Sequence, residues 1–432
     1  MTANFSDFSI WVSTAVAVAS LNFGVLSAQS ADAPQTQPSP TRQPAPKPPT
    51  KPPQKDEFPP NPLELIAPDP LLPNGLKTPL SAADRSRLTI ALDALNQQAL
   101  SRLAAGTPLE AFDLWDRELR LRRALGFVEE VKALGRVGDL AWKQNQPNQV
   151  QVITKRLQAI QTQVQTGKLD KIPPQPAFDR TQLLSALGTA YQQVRSPGLA
   201  VSVYENLLAE ARQRKDIPQE VSLLNTIGQL HLSWFDYPKA IATYTDLLNG
   251  SKARSDRRNE IVSISQLAYA HEQAKQPSQA VPYQQQLVQL YQQTQQQPLV
   301  PALKIRIADN YATSGQFALA EQTYQEAFTL AQPLVQLAYA ADALRKLGAL
   351  YRKNDRPDAA LRVYEYLIGL GQQASDLYGT MEAYDQIGQI QLARKSYPEA
   401  VNAFNQGLEL AKQLNYRMGY FTNQIQLAQK RG

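Results

Sequence analysis

The stretch Leu223 to Leu248, LLNTIGQLHLSWFDYPKAIATYTDLL, returns in altered form every 40 residues, and this recurrence narrows the possible folds further than any other feature of the chain. In its first half Leu224, Ile227, Gly228 and His231 stand at i, i+3, i+4 and i+7, one stripe of an amphipathic helix. In its second half Ala240, Tyr244 and Leu247 form another. A step of 40 brings Gly188, Gly228, Ala268, Ala308, Gly348 and Gly388 into one register. Twelve residues after each come Ala200, Ala240, Ala280, Ala320, Ala360 and Ala400, and four further on Tyr204, Tyr244, Gln284, Tyr324, Tyr364 and Phe404.

The spacing predicts two antiparallel helices per unit. Small residues let them approach closely, and the large aromatic is expected to fill the gap towards the following unit. Each hairpin leaves an apolar face that only its neighbours can cover, so such units are stable as a stack. Proline supports the helix starts. Pro197, Pro277 and Pro357 lie three residues before the register alanine, and Pro238 and Pro398 two before. A first helical turn tolerates proline because its missing N–H has no partner there. Pro218 and Pro298 mark starts of first helices. Pro282 falls inside a predicted helix and predicts a kink or a late start.

These residues resemble the tetratricopeptide repeat (TPR) family. Its apolar–x–x–Leu–Gly–x–x–Tyr half is matched by Leu184, Leu187, Gly188 and Tyr191, and by Leu344, Leu347, Gly348 and Tyr351. The Ala–x–x–x–aromatic half follows. The chain departs from the family in lacking its closing proline and in its period, which is about 34 residues in the family. The resemblance implies an all-α fold, an α-solenoid wound as a right-handed superhelix, with first helices lining a concave groove.

Residues 10–26 are dominated by apolar and small side chains, and residues 8–31 carry no charge. Residues 1–30 therefore read as a secretory signal peptide, with Ala28-Gln29-Ser30 as the cleavage site, or as an uncleaved membrane anchor. Membrane association would run through residues 10–26. Residues 31–80 read as a proline-rich disordered linker: sixteen prolines between 34 and 79 cannot build a core and favour extended chain. Residues 81–432 read as the solenoid, about eight repeats plus a C-terminal capping helix from Tyr420 to Gln429. Two degenerate repeats open it, and about ten extra residues centred on Lys171–Pro174 read as a loop.

The absence of cysteine excludes disulfides and thiol chemistry. No nucleotide-binding or hydrolase motif is present, and no cofactor or metal is expected. The two histidines, His231 and His271, occupy a slot that holds Tyr191, Tyr311 and Tyr351 elsewhere, so they read as packing residues rather than ligands. The net charge of +6 is too diffuse to imply nucleic acid. The basic runs 212–215 and 252–258 read as residues suited to the negative ends of second helices.

The groove that the resemblance implies nominates Arg345, Lys346, Arg352 and Lys353, with Asn225, Gln229, Tyr269, Asp309, Asp385 and Gln389. The arrangement of basic and amide residues that binds chaperone tails in some TPR domains is not matched. The sequence thus predicts a non-enzymatic scaffold that binds a polypeptide segment in the groove, exported to the periplasm or exterior, or tethered at the N-terminus. The alternative is a cytoplasm-facing regulator that senses a peptide.

Overall fold

Helices begin where the sequence supplies a residue that relieves the first-turn amides. Pro108, Pro147, Pro197, Pro277 and Pro357 occupy first helical positions. Elsewhere the carboxylates of Asp179, Asp216, Asp236, Asp256 and Asp376 accept a hydrogen bond from a backbone amide three residues on. The computed structural model describes residues 61–63, 69–73, 75, 79–168 and 177–432. The expected leader or anchor, most of the proline-rich segment and Lys171–Pro174 lie outside the described residues.

Seventeen α-helices occur among the described residues, arranged as eight hairpins and a final helix. The hairpins are α1 (Ala82–Ala104) with α2 (Pro108–Arg122), α3 (Phe127–Lys143) with α4 (Pro147–Thr166), and α5 (Arg180–Gln193) with α6 (Pro197–Arg214). There follow α7 (Ile217–Ser233) with α8 (Tyr237–Ala253), α9 (Arg257–Gln273) with α10 (Pro277–Gln293), and α11 (Val300–Thr313) with α12 (Phe317–Ala331). The last are α13 (Leu337–Lys353) with α14 (Pro357–Ala374), α15 (Leu377–Ala393) with α16 (Tyr397–Gln413), and the lone α17 (Met418–Arg431). Each helix packs on the next in sequence, the organisation of an α-solenoid.

The turns within hairpins and between them share one geometry. A residue in the left-handed region recurs every twenty positions at Arg195, Lys215, Phe235, Ser255, Lys275, Gln295, Gly315, Val335, Asp355, Ser375, Lys395 and Asn415. Around Phe235 the closing bonds run from its N–H to the Leu232 carbonyl and from Asp236 N–H to the His231 carbonyl. That pair satisfies two carbonyls at the end of α7. Glycine is the usual residue for such a cap, yet only Gly315 supplies it in this series.

Packing refines two sequence expectations. In the four hairpins with glycine in the slot, the aromatic of the second helix lies over that glycine of its own hairpin. A β-carbon at Gly188, Gly228, Gly348 or Gly388 would stand 2.5–2.6 Å from the ring of Tyr204, Tyr244, Tyr364 or Phe404. The glycine is there because the ring occupies the space a side chain would need. The helix α10 also starts on schedule at Pro277 and runs through Pro282, so there is no late start.

The described part of the 31–80 segment is docked rather than free. Leu63 is 2% exposed within the main core, and Leu72 packs among Leu88, Leu92 and Leu121. Three arginines one turn apart on or just after α2 hold it. Arg117 makes a two-pronged ion pair with Asp69 at 2.7 and 2.9 Å, and Arg120 donates to the Pro62 carbonyl at 2.9 Å. Arg123 donates to the Leu63 carbonyl at 3.3 Å. This strap covers apolar surface of the first hairpin, as α17 covers the last.

Candidate binding face of the first helices

First helices of successive hairpins stand side by side, and polar side chains flanking the glycine slot bridge from one to the next. Arg306 of α11 reaches Glu272 of α9. Lys346 of α13 pairs with Asp309 of α11 at 2.6 Å. Arg352 of α13 donates to Gln386 of α15. At the end of the array, Arg417 and Tyr420 close on Asp385 of α15 at 3.1 and 2.7 Å. The face is therefore a ladder of cross-repeat bonds.

This ladder sorts the residues nominated from sequence. Asp309 and Lys346 are brought together, and Asp309 also accepts from the Tyr324 hydroxyl at 2.6 Å. Burial and the adjacent Asp309 carboxylate push the Tyr324 hydroxyl pKa up. Arg345 pairs within its own helix with Asp342 at 3.3 Å. The Asn225 amide is turned back onto the Val221 carbonyl of its own helix. Asp385 requires a correction, being only 5% exposed and held by the cap. Gln389 donates to the Tyr420 hydroxyl and belongs to the same contact. Gln229 and Tyr269 remain exposed on the face.

Arg352 and Lys353 differ from the other cations of this face. Arg352 meets a neutral amide, and the Lys353 ammonium lies 5.6 Å from the centre of the Phe317 ring. Among the described residues neither forms an ion pair with a carboxylate. Beside them Arg356 is neutralised by Glu321 at 2.7 Å and stacks on Tyr351, whose hydroxyl donates to the same carboxylate.

Sequence reasoning missed the polar lock of the fifth hairpin. Gln284, standing where other repeats place an aromatic, is fully buried. It donates to Glu272 at 2.6 Å and accepts from Asn310 at 2.9 Å, while Asn310 also donates to Glu272 at 3.0 Å. The break in the aromatic series at Gln284 was the available signal. A charged core in the first two hairpins was missed as well. Buried Glu118 accepts from Arg122 and Arg136 at 3.0 and 2.6 Å, and Arg156 grips Glu130 with two bonds. The slot histidines are buried. His271 stacks on Tyr283 and bonds Gln276 through Nδ1 at 2.8 Å, while burial lowers the pKa of His231.

Tetratricopeptide-repeat family models match residues 183–218 and 339–413. Those two stretches of the solenoid are tetratricopeptide repeats. No curated protein matches the sequence. Among solved structures, the TPR solenoid is similar to the apo form of RapI at 10% identity, covering 79% of this chain and 98% of that one, with a TM-score of 0.41. It is similar to BtubC from P. vanneervenii at 18% identity over 50% of this chain and 91% of that one, with a TM-score of 0.37. A signal-transduction ATPase with a tetratricopeptide repeat sensor from Pyrococcus horikoshii is 11% identical, covering 81% of this chain and 52% of that one, with a TM-score of 0.41.

No described helix is long and apolar enough to cross a membrane. In the TPR array, second helices end on one edge and first helices begin there. The basic run at 252–258 therefore spans two elements. Lys252 lies in the last turn of α8, but Arg257 and Arg258 open α9. The reading of the whole run as residues suited to a helix C-terminus is corrected accordingly.

Proposed function

We propose that the protein is a non-enzymatic interaction scaffold whose first-helix face holds an extended polypeptide segment bearing a carboxylate. The observation that carries this reading is the state of Arg352 and Lys353. Most cations of the face are spent on neighbouring repeats, whereas these two adjacent charges have only an amide and a ring for company. A carboxylate at either cation would gain charge-assisted hydrogen bonds. Tyr269 and Gln229 offer contact area and amide hydrogen bonding further along the same face. We also propose export or N-terminal tethering, on the strength of the uncharged run at 8–31.

Photocrosslinking tests the binding face. A photoreactive residue at Tyr269 or Gln229 of the full chain is expected to capture a polypeptide in cells of the source. Adding Arg352→Gln and Lys353→Gln should reduce capture about tenfold. Undiminished capture by that variant contradicts the assignment.

A further inference from the structure

The turns between hairpins carry a second concentration of charge, away from the face just described. Residues 212–220 and 252–260 contain seven Lys or Arg against four Asp or Glu. The two turns are neighbours: Arg212 at the end of α6 bridges Glu220 of α7 and Asp246 of α8. Arg257 is neutralised by Glu260, and the carboxylates of Asp216 and Asp256 cap α7 and α9. Arg214 donates only to the Gln219 amide. Arg254 helps to lower the Asp256 carboxyl pKa through space, with the Asn259 hydrogen bonds the larger cause. Arg214, Lys215, Lys252, Arg254 and Arg258 thus stand exposed, with no carboxylate in ion-pair contact among the described residues.

Local helix electrostatics does not account for the cluster. A cation suits the last turn of a helix, which covers Arg214 and Lys252. It is opposed at the first turn, where Arg257 and Arg258 are placed. Lys215 sits in a left-handed conformation that glycine would adopt more easily. Beside Arg257 a cleft of about 230 Å³ opens between α9 and α10, lined by Glu260, Gln286, Gln289 and Gln293.

We propose that this edge is a docking surface for an acidic polypeptide segment, distinct from the first-helix face. The cations would pair with its carboxylates. The glutamines of the cleft both donate and accept hydrogen bonds, as a peptide backbone does, whereas phosphodiester and lipid phosphates only accept. Neither turn holds an aromatic on which a base could stack, which disfavours single-stranded nucleic acid.

Fluorescence anisotropy on the full chain at low salt tests this, with a labelled alternating Glu–Gly peptide as the probe. The peptide should bind, and its Gln–Gly counterpart should not. The combination Lys215→Gly, Arg254→Gln and Arg258→Gln should weaken binding about tenfold. Lys215→Gly suits its backbone and the other two positions are exposed, so circular dichroism should show unchanged helix content. Carried into the Arg352→Gln, Lys353→Gln background, the triple substitution should weaken binding by the same factor, which keeps this surface separate from the first-helix face. Wild-type affinity in the triple variant overturns the proposal. Tighter binding of oligothymidylate or of phosphatidylserine vesicles than of the peptide does so too.

Discussion

Hairpins four and five are built to the same length, 17 residues in every helix, and are joined by similar short turns, but they close on different chemistry. In the fourth, Tyr244 lies over Gly228 in an apolar interior. In the fifth, Ala268 takes the glycine slot and buried Gln284 replaces the ring, with half-buried Glu272 and buried Asn310 completing a hydrogen-bonded trio. The consequence extends beyond one repeat. Buried apolar side chains form one large block from Leu63 to Ile307 and another from Ile305 to Ile390, and the two meet within α11, where Tyr311 packs against both. Two smaller blocks lie at the ends, one around Leu72, Leu88 and Leu92 under the strap and one around the cap, beginning at Met381 near buried Asp385. A solenoid of uniform backbone thus carries a spine of mixed chemistry: where the aromatic gives way to an amide, hydrogen bonds replace ring packing.

The locks of hairpins four and five differ most in what their loss should cost. Tyr244→Ala should remove the lock of hairpin four and cost about 3–5 kcal/mol, read by urea unfolding. The equivalent truncation Gln284→Ala should cost less, about 1–3 kcal/mol, because its loss leaves polar partners unpaired without a ring-sized void. Next comes the glycine. Gly228→Ala gains helix propensity of about 1 kcal/mol, but its β-carbon would stand 2.6 Å from Tyr244, so we expect net destabilisation of about 1–3 kcal/mol. A neutral or stabilising result would show that the ring can yield. Ala308 coexists with Tyr324 in hairpin six, where the hydroxyl is anchored on Asp309, so the ring there has found another seat.

Asn310→Ala sharpens the polar side. Glu272 and Gln284 would each lose a donor, at a cost of about 1–3 kcal/mol. Thermal unfolding of the single and double variants with Gln284→Ala should be strongly non-additive, since both belong to one network. The smallest expected effect has the opposite sign. The Tyr244 hydroxyl is buried without a protein partner, and hairpin eight uses Phe404 in the same slot. Tyr244→Phe should therefore stabilise by about 1 kcal/mol, whereas Tyr324→Phe, which abandons Asp309, should destabilise by a similar amount.

Much of this architecture was legible in the sequence because its causes are local. Proline at helix starts and the apolar stripe through Leu224, Ile227 and His231 act within one helix, and periodicity reports them directly. The turns were harder to read: left-handed caps are normally announced by glycine, and this chain fills them with Phe235, Val335 or Lys395. The glycine slot was recognisable, but its partner was not, because spacing does not say which of two neighbouring helices a ring will face. The strap was hidden by its prolines, which argued for free extended chain while Leu63, Asp69 and Leu72 supplied the anchors. On the first-helix face, Arg352 meets Gln386 and Lys353 the Phe317 ring, whereas Asp385 and Gln389 bond to the cap. Only the fold of α17 over α15 could reveal that.

The hydrogen-bonded trio of half-buried Glu272 with buried Gln284 and Asn310 is expected to divide the spine. Native-state hydrogen exchange across α9–α13 tests it most directly. Two opening units are expected, with the boundary in α11 and distinct opening free energies on either side. A single opening free energy shared by α7 through α14, unchanged by Asn310→Ala, would contradict it.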